Sequence, residues 1–223
     1  MIFTVSAAGA PLSSEVLVAV ALHSGLKHVG LLFQGETGLS TLMHLRGDQE
    51  VKAGPLTADY RWTFPVLTPD ELGRVQAMAW TLHELYVEDG LPYGINPTGA
   101  RLDELGLVIL EEGGLGFSCA SFVHAVFAAV GLPLVQLDSW RTAPAERLQA
   151  DTAIQQQIVD DLRTRTSRRE DWETRARAEV GTVASLHPTE IAAASALPNQ
   201  PVAFREAAQA GRELEAHMRA LSP

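Results

Sequence analysis

The stretch HVGLLFQGETGLSTLMHL, residues 28–45, reads as two strands and a turn. His28–Phe33 is an apolar run bounded by Gly25 and Gly35, Ser40–Leu45 is a second run, and QGETG between them carries the turn chemistry. An antiparallel hairpin sets the start of its first strand beside the end of its second. His28 and His44 occupy those two positions, so the pattern predicts a pair of imidazoles at one end of an antiparallel sheet.

Upstream, Glu15–Leu22 is apolar but too short to separate strand from helix. Downstream, RWTFPVL (Arg61–Leu67) reads as a further strand. TPDELGRVQAMAWTLHELY then opens with Thr68 as N-cap, Pro69 at the first helical position and Glu71 three residues after the cap. Leu72, Val75, Ala79, Leu82 and Tyr86 keep helical spacing, which predicts a helix over Pro69–Val87. EDGLPYGINPTG is a loop rich in Gly and Pro. GLGFSCASFVHAVFAAVGLP, residues 114–133, predicts a helix starting at Ser118 or Cys119, with Phe122, Val123, Val126, Phe127 and Val130 on or near one face. Gly131 and Pro133 stop it.

The chain has 223 residues, enough for one substantial domain with an appendage or for two small domains, and its 46% apolar content suits a globular core. Seventeen basic against twenty-seven acidic residues, a net charge of −10, argues against a nucleic-acid partner, which requires a basic face. No apolar run approaches the ~18 residues of a membrane span, and no Lys or Arg precedes the run VLVAVAL, so a secretory signal is not expected. A single cysteine forms no internal disulfide and no cysteine-based metal site. These features make a cytoplasmic protein the default reading. Beyond Trp140 the composition becomes polar and mixed in charge, which sets a boundary between a unit at 1–140 and a helical extension at 141–223.

Cys119 is therefore either a small buried hydrophobe or a nucleophile. A thiolate is the reactive form, and the free N–H groups of a helix N-terminus favour an anion there. The glycines at 113, 114 and 116 let the backbone turn and a substrate approach. His124, five residues along the same helix, points away from Cys119. His83 reads as a solvated helix residue, and His187, before Pro188, as a loop residue. His28 and His44 remain as base and orienting group, the arrangement of a catalytic triad.

HVGLLFQG followed by LMHL resembles the strand pair of NlpC-type cysteine peptidases, in which the catalytic histidine opens an H-V-G-I strand and a second polar residue ends the next. GLPYGINPTG and GFSCASFV resemble that family's other half, a glycine-flanked tyrosine and a D-C-S-G-F-V segment opening the nucleophile helix. The histidine half comes first here, so the resemblance, over about residues 27–133, is to the circularly permuted branch of this papain-like superfamily, which includes the lecithin:retinol acyltransferase group. It implies an α+β fold with an antiparallel sheet and a nucleophile helix. It also implies Cys119 as nucleophile, His28 as general base, His44 as the orienting residue, and Tyr93 and Ser118 on the substrate and oxyanion side. Ser118 stands in place of the family's aspartate, and Ala120-Ser121 in place of its Ser-Gly.

The implied reaction is hydrolysis of an amide, as a peptidase or amidase, through a Cys119 thioester, and it needs no metal or organic cofactor. The alternatives are acyl transfer or thioester hydrolysis on the same fold, or a binding or immunity-type protein that keeps the fold without the reaction. The implied partners are a peptide, amide or acyl substrate and a protein docked through the C-terminal helices. Asp160, Asp161, Glu170 and Asp171 alternate with Arg163, Arg165, Arg168, Arg169, Arg175 and Arg177, which reads as a salt-bridged, solvated helix rather than a metal site. Trp140 and Trp172 either anchor the extension or face a partner.

Overall fold

Alternation of apolar residues along the N-terminal half builds a sheet in the computed structural model, which describes residues 3–13, 16–35, 38–165 and 170–221; of 162–165, 170 and 171 only the backbone is described. Strands β1 (Val18–His23), β2 (Val29–Gln34), β3 (Ser40–Gly47), β4 (Glu50–Pro55) and β5 (Tyr60–Thr63) form an antiparallel sheet in the order β4-β3-β2-β1-β5. The ambiguous run before His23 is thus a strand. The hairpin of residues 28–45 forms with Leu31 opposite Met43 and Gln34 opposite Ser40. Glu36 and Thr37 of its expected turn, and Glu15 upstream, lie outside the described residues.

Successive side chains point to opposite faces of a strand, and the two faces here have different covers. Val18, Val20, Leu22, Val29, Leu31, Phe33, Met43 and Leu45 belong to the main core, which the helices share. Ala19, Ala21, Leu32 and Leu42 form a second, smaller cluster with Tyr60, Trp62 and Leu12. The N-terminal segment encloses that face. Val5 bridges Thr63 beside β5, Ser6 and Gly9 donate their N–H to the Trp62 and Tyr60 carbonyls, and the Trp62 indole donates to the Ala10 carbonyl at 2.7 Å.

Helix α1 (Pro69–Tyr86) has the expected capping box, with Thr68 and Glu71 satisfying each other's backbone N–H. Its His83 is half-buried against Trp80 and Phe33 rather than solvated. The loop that follows carries a small hairpin, β6 (Ala100–Leu102) and β7 (Val108–Leu110). Helix α2 (Cys119–Ala129) differs from its expected one-sided pattern: every residue from Cys119 to Phe127 is buried. A helix apolar all round belongs in an interior, and α2 is the central helix of the main core.

The region after Trp140 supplies α3 (Ala145–Arg165), α4 (Glu170–Glu179), α5 (Pro188–Ser195) and α6 (Phe204–Ala220). Ile191, Ala192, Ala193 and Ala194 of α5 are fully buried in the same core as the sheet, and Thr63 of β5 donates to the Ala192 carbonyl. Arg147 of α3 is bonded through Nε to Asp151 at 2.9 Å and through Nη1 to Glu190 of α5 at 2.5 Å, while His187 contacts Asp151 at 2.8 Å. Burial pushes the Asp151 carboxyl up, but His187 and Arg147 outweigh it and hold it below its ordinary value. On the solvated side, Arg177 pairs with Asp160 and Glu173. Arg168 and Arg169 lie outside the described residues, as do the side chains of Arg163, Arg165, Glu170 and Asp171. Both tryptophans are anchors: Trp140 is 3% exposed and Trp172 6%. Among the described residues no helix is long and apolar enough to cross a membrane.

Candidate active site

The hairpin brings its histidines into contact. His28 Nε2 lies 2.5 Å from His44 Nδ1, and the rings meet edge to face at 4.8 Å between centroids. His44 falls beside Gly30, and glycine is required there: a Cβ on residue 30 would sit 2.8 Å from both His44 Cβ and the Met43 carbonyl oxygen. His23 donates its backbone N–H to the His28 carbonyl, and His23 is paired with Tyr60 on β5. One end of the sheet therefore holds His23, His28, His44 and Tyr60, with the Tyr60 ring 5.2 Å from His23, 6.0 Å from His44 and 6.4 Å from His28.

Cys119 arrives from the opposite face. Ser118 is the N-cap of α2: its Oγ accepts the Ser121 N–H at 3.1 Å, and Ser121 Oγ accepts the Ser118 N–H at 2.8 Å. The hydroxyl expected on the substrate side is thus engaged in closing the helix. The cap fixes Cys119 at the first turn, where the backbone N–H groups of Val29, Ala120 and Cys119 itself favour its thiolate form. Val29 follows His28 directly, so the thiol reaches the same end of the sheet. Among the described residues no hydrogen bond joins the thiol to an imidazole; the nearest link runs through the β2 backbone.

Tyr93 is held beside α2 by a parallel bridge to Phe117. Its N–H is donated to Asp48 at 3.1 Å, and Phe117 donates to the Pro92 carbonyl. The two segments approach so closely that a Cβ on Gly116, whose φ is +139°, would lie 2.0 Å from the Pro92 oxygen. Helix α4 fastens both segments: the Trp172 indole donates to the Tyr93 carbonyl, and Arg175 donates to the carbonyls of Gly113 and Gly114. A cavity of about 390 Å³ lies against the same loop, lined by Asn96, Thr98, Arg101, Glu111, Leu137 and Arg141 among others, and includes none of Cys119, His28 or His44.

Electrostatics keep the free site neutral. Burial, then His44, His23 and Arg46, lower the His28 pKa to about 4. His44 is lowered by burial, Arg46, Lys52 and His23, against the opposing pull of Glu50. Burial pushes the Cys119 thiol up, and the three backbone N–H groups only partly offset it. The helix terminus expected to favour the thiolate therefore loses to desolvation. Tyr60 is raised to about 12 by burial and then by the fields of Cys119 and Asp59, and Tyr93 is raised by burial and Cys119. Both phenols thus remain proton donors around the thiol at neutral pH.

Sequence reasoning missed Tyr60 and Arg46. Tyr60 enters through the β1–β5 pairing, and Arg46 through an irregularity of β3 between Leu45 and Gly47. His124 lies deep in the core, with Nδ1 unpartnered and its pKa lowered by burial to about 4. Comparison with models of protein families, with curated proteins and with solved structures returned no match for this chain.

Proposed function

We propose that the protein is a cysteine hydrolase of amide bonds, a peptidase or amidase, built as a circularly permuted NlpC-type papain-like domain. The observation that carries this reading is the 2.5 Å contact of His28 with His44 at the sheet end where the Val29 N–H acts on the Cys119 thiol. His44 engages Nε2 of His28, which leaves Nδ1 for the thiol. Because thiol and imidazole are both neutral at rest, the proton leaves sulfur as attack proceeds, with His28 as general base. The thiolate adds to the carbonyl carbon, and the oxyanion is received by the Cys119 N–H and a tyrosine hydroxyl, Tyr93 or Tyr60. Collapse breaks the C–N bond, and the amine departs with the proton from His28. Water, deprotonated by His28, then cleaves the thioester and restores the thiol. A free thiol nucleophile suits the reducing environment of the cytoplasm.

One observation favours a second reading. The thiol is 9% exposed and its pKa is raised, which suits a binding or immunity-type protein that keeps the fold without the reaction. Mass spectrometry after brief exposure to p-nitrophenyl acyl esters separates the two. The enzyme reading expects acylation at Cys119, followed by turnover in the native protein and loss of turnover in His28→Gln. Absence of acylation in the native protein, with the thiol freely alkylated after unfolding, would overturn it.

A further inference from the structure

We infer that Arg46 forms an anion subsite beside the histidine pair, receiving a carboxylate carried by the acyl part of the substrate and coupling its arrival to protonation of the pair. The inference rests on the hydrolase reading for the word substrate, but not for the site itself.

Its first support is geometric. The β3–β4 register slips between Leu45, opposite Val51, and Gly47, opposite Glu50, so Arg46 is the extra residue of a bulge two positions beyond His44. Bulges re-aim a side chain and recur beside active sites. Arg46 is exposed at that bulge, and its charge acts on His28, His44 and Tyr60.

The second support is the lack of a partner. Among the described residues no ion pair engages Arg46, although the neighbouring cation Lys52 is paired with Glu50 at 3.3 Å. In a chain of net charge −10, an unneutralised guanidinium next to an imidazole pair is placed against the overall trend.

The third support is chemical. A fixed cation disfavours an imidazolium nearby, so Arg46 alone hinders a base that must hold a proton during reaction. Among the described residues the other charged or titratable groups acting on the pair are His23 from β1 and Glu50 and Lys52 from β4, while the Tyr60 ring packs against both imidazoles and is itself acted on by Asp59 and Cys119. Glu50 favours the proton on His44 but is shared with Lys52. A carboxylate on Arg46, held in the bidentate geometry that guanidinium prefers, removes the hindrance at the moment substrate binds. By linkage, the anion and the proton then bind with mutual assistance.

Two measurements test this. In the first, glutarate is added while the imidazole resonances are followed by NMR across a pH titration. The expected result is an upward displacement of the His28 and His44 midpoints in the native protein, abolished in Arg46→Gln and partly restored in Arg46→Lys. Unmoved midpoints in the native protein overturn the proposal, as does an equal displacement in Arg46→Gln. In the second, kcat/KM is compared for mono-p-nitrophenyl glutarate and p-nitrophenyl valerate. A preference for the acidic ester of about tenfold, the equivalent of one charge-assisted contact, should fall toward unity in Arg46→Gln whatever the absolute rates. An unchanged ratio overturns it. If neither ester is cleaved while glutarate still moves the midpoints through Arg46, the subsite stands and the hydrolase reading falls.

Discussion

Acid should weaken this fold through His28. In the unfolded chain an imidazole takes its proton near pH 6.5, whereas in the fold His28 takes it only at about 4. The unfolded state therefore binds more protons between those values, and stability present above pH 6.5 is lost as pH falls through the folded value. The linkage relation gives a loss of roughly 2 kcal/mol from this residue between about pH 7 and about pH 4.5. His124, lowered to about 4 by burial, titrates with the same sign and adds a similar amount. Urea unfolding at both pH values, on native protein and His28→Gln, measures the difference: the variant should lose roughly 2 kcal/mol less on acidification. NMR of the imidazole C–H groups supplies the direct check, with a midpoint near 4 that is absent from the variant. A His28 midpoint near 6.5, or equal acid sensitivity in both proteins, would refute the burial argument.

Three further outcomes follow from particular contacts. Gly30→Ala drives a methyl against His44 Cβ and the Met43 carbonyl, so it should cost about 1–3 kcal/mol in urea unfolding and separate the two imidazole resonances. Arg147→Met leaves Asp151 and Glu190, whose side chains are 0% and 4% exposed, without their common cation, and should cost about 3–5 kcal/mol; a loss below about 1 kcal/mol would show that His187 alone satisfies them. His124→Leu removes a buried nitrogen that has no partner, and should leave the unfolding midpoint unchanged or raised, whereas a large loss would point to a bond that Nδ1 makes in solution.

What the sequence disclosed, and what it withheld, follows the range of the forces involved. The histidine pair was legible because β2 and β3 are neighbours in the chain and alternate cleanly, so their pairing is decided locally. The Thr68 cap was legible for the same reason. Tyr60 was not, because β5 pairs with β1 rather than with β4, and nothing between residues 23 and 60 announces that choice. Strand β4 was passed over because Lys52, Gly54 and Pro55 are poor strand formers, tolerated on an edge where only one side is paired. The three-residue strands β6 and β7 are too short for any pattern to emerge from a Gly- and Pro-rich loop. Arg46 depended on a one-residue slip that has no signature in composition. The thiol's proton affinity was misjudged because helix polarity is visible in sequence while the depth of burial is not.

The clamp formed by α4 has a consequence for the order in which the site can come into being. The imidazoles pair within residues 28–44, the thiol is added at 119, and the donors that fasten the Tyr93 and Gly113–Gly114 segments come from residues 172 and 175. During synthesis, N-terminal parts of a chain emerge first and begin to organise before the rest is made. A nascent chain that has reached α2 already contains the thiol and the imidazole pair, yet lacks the groups that fasten the Tyr93 segment. On the proposed mechanism, the site is therefore completed only when the last third of the chain has emerged, a form of timing that needs no inhibitor and no cleavage.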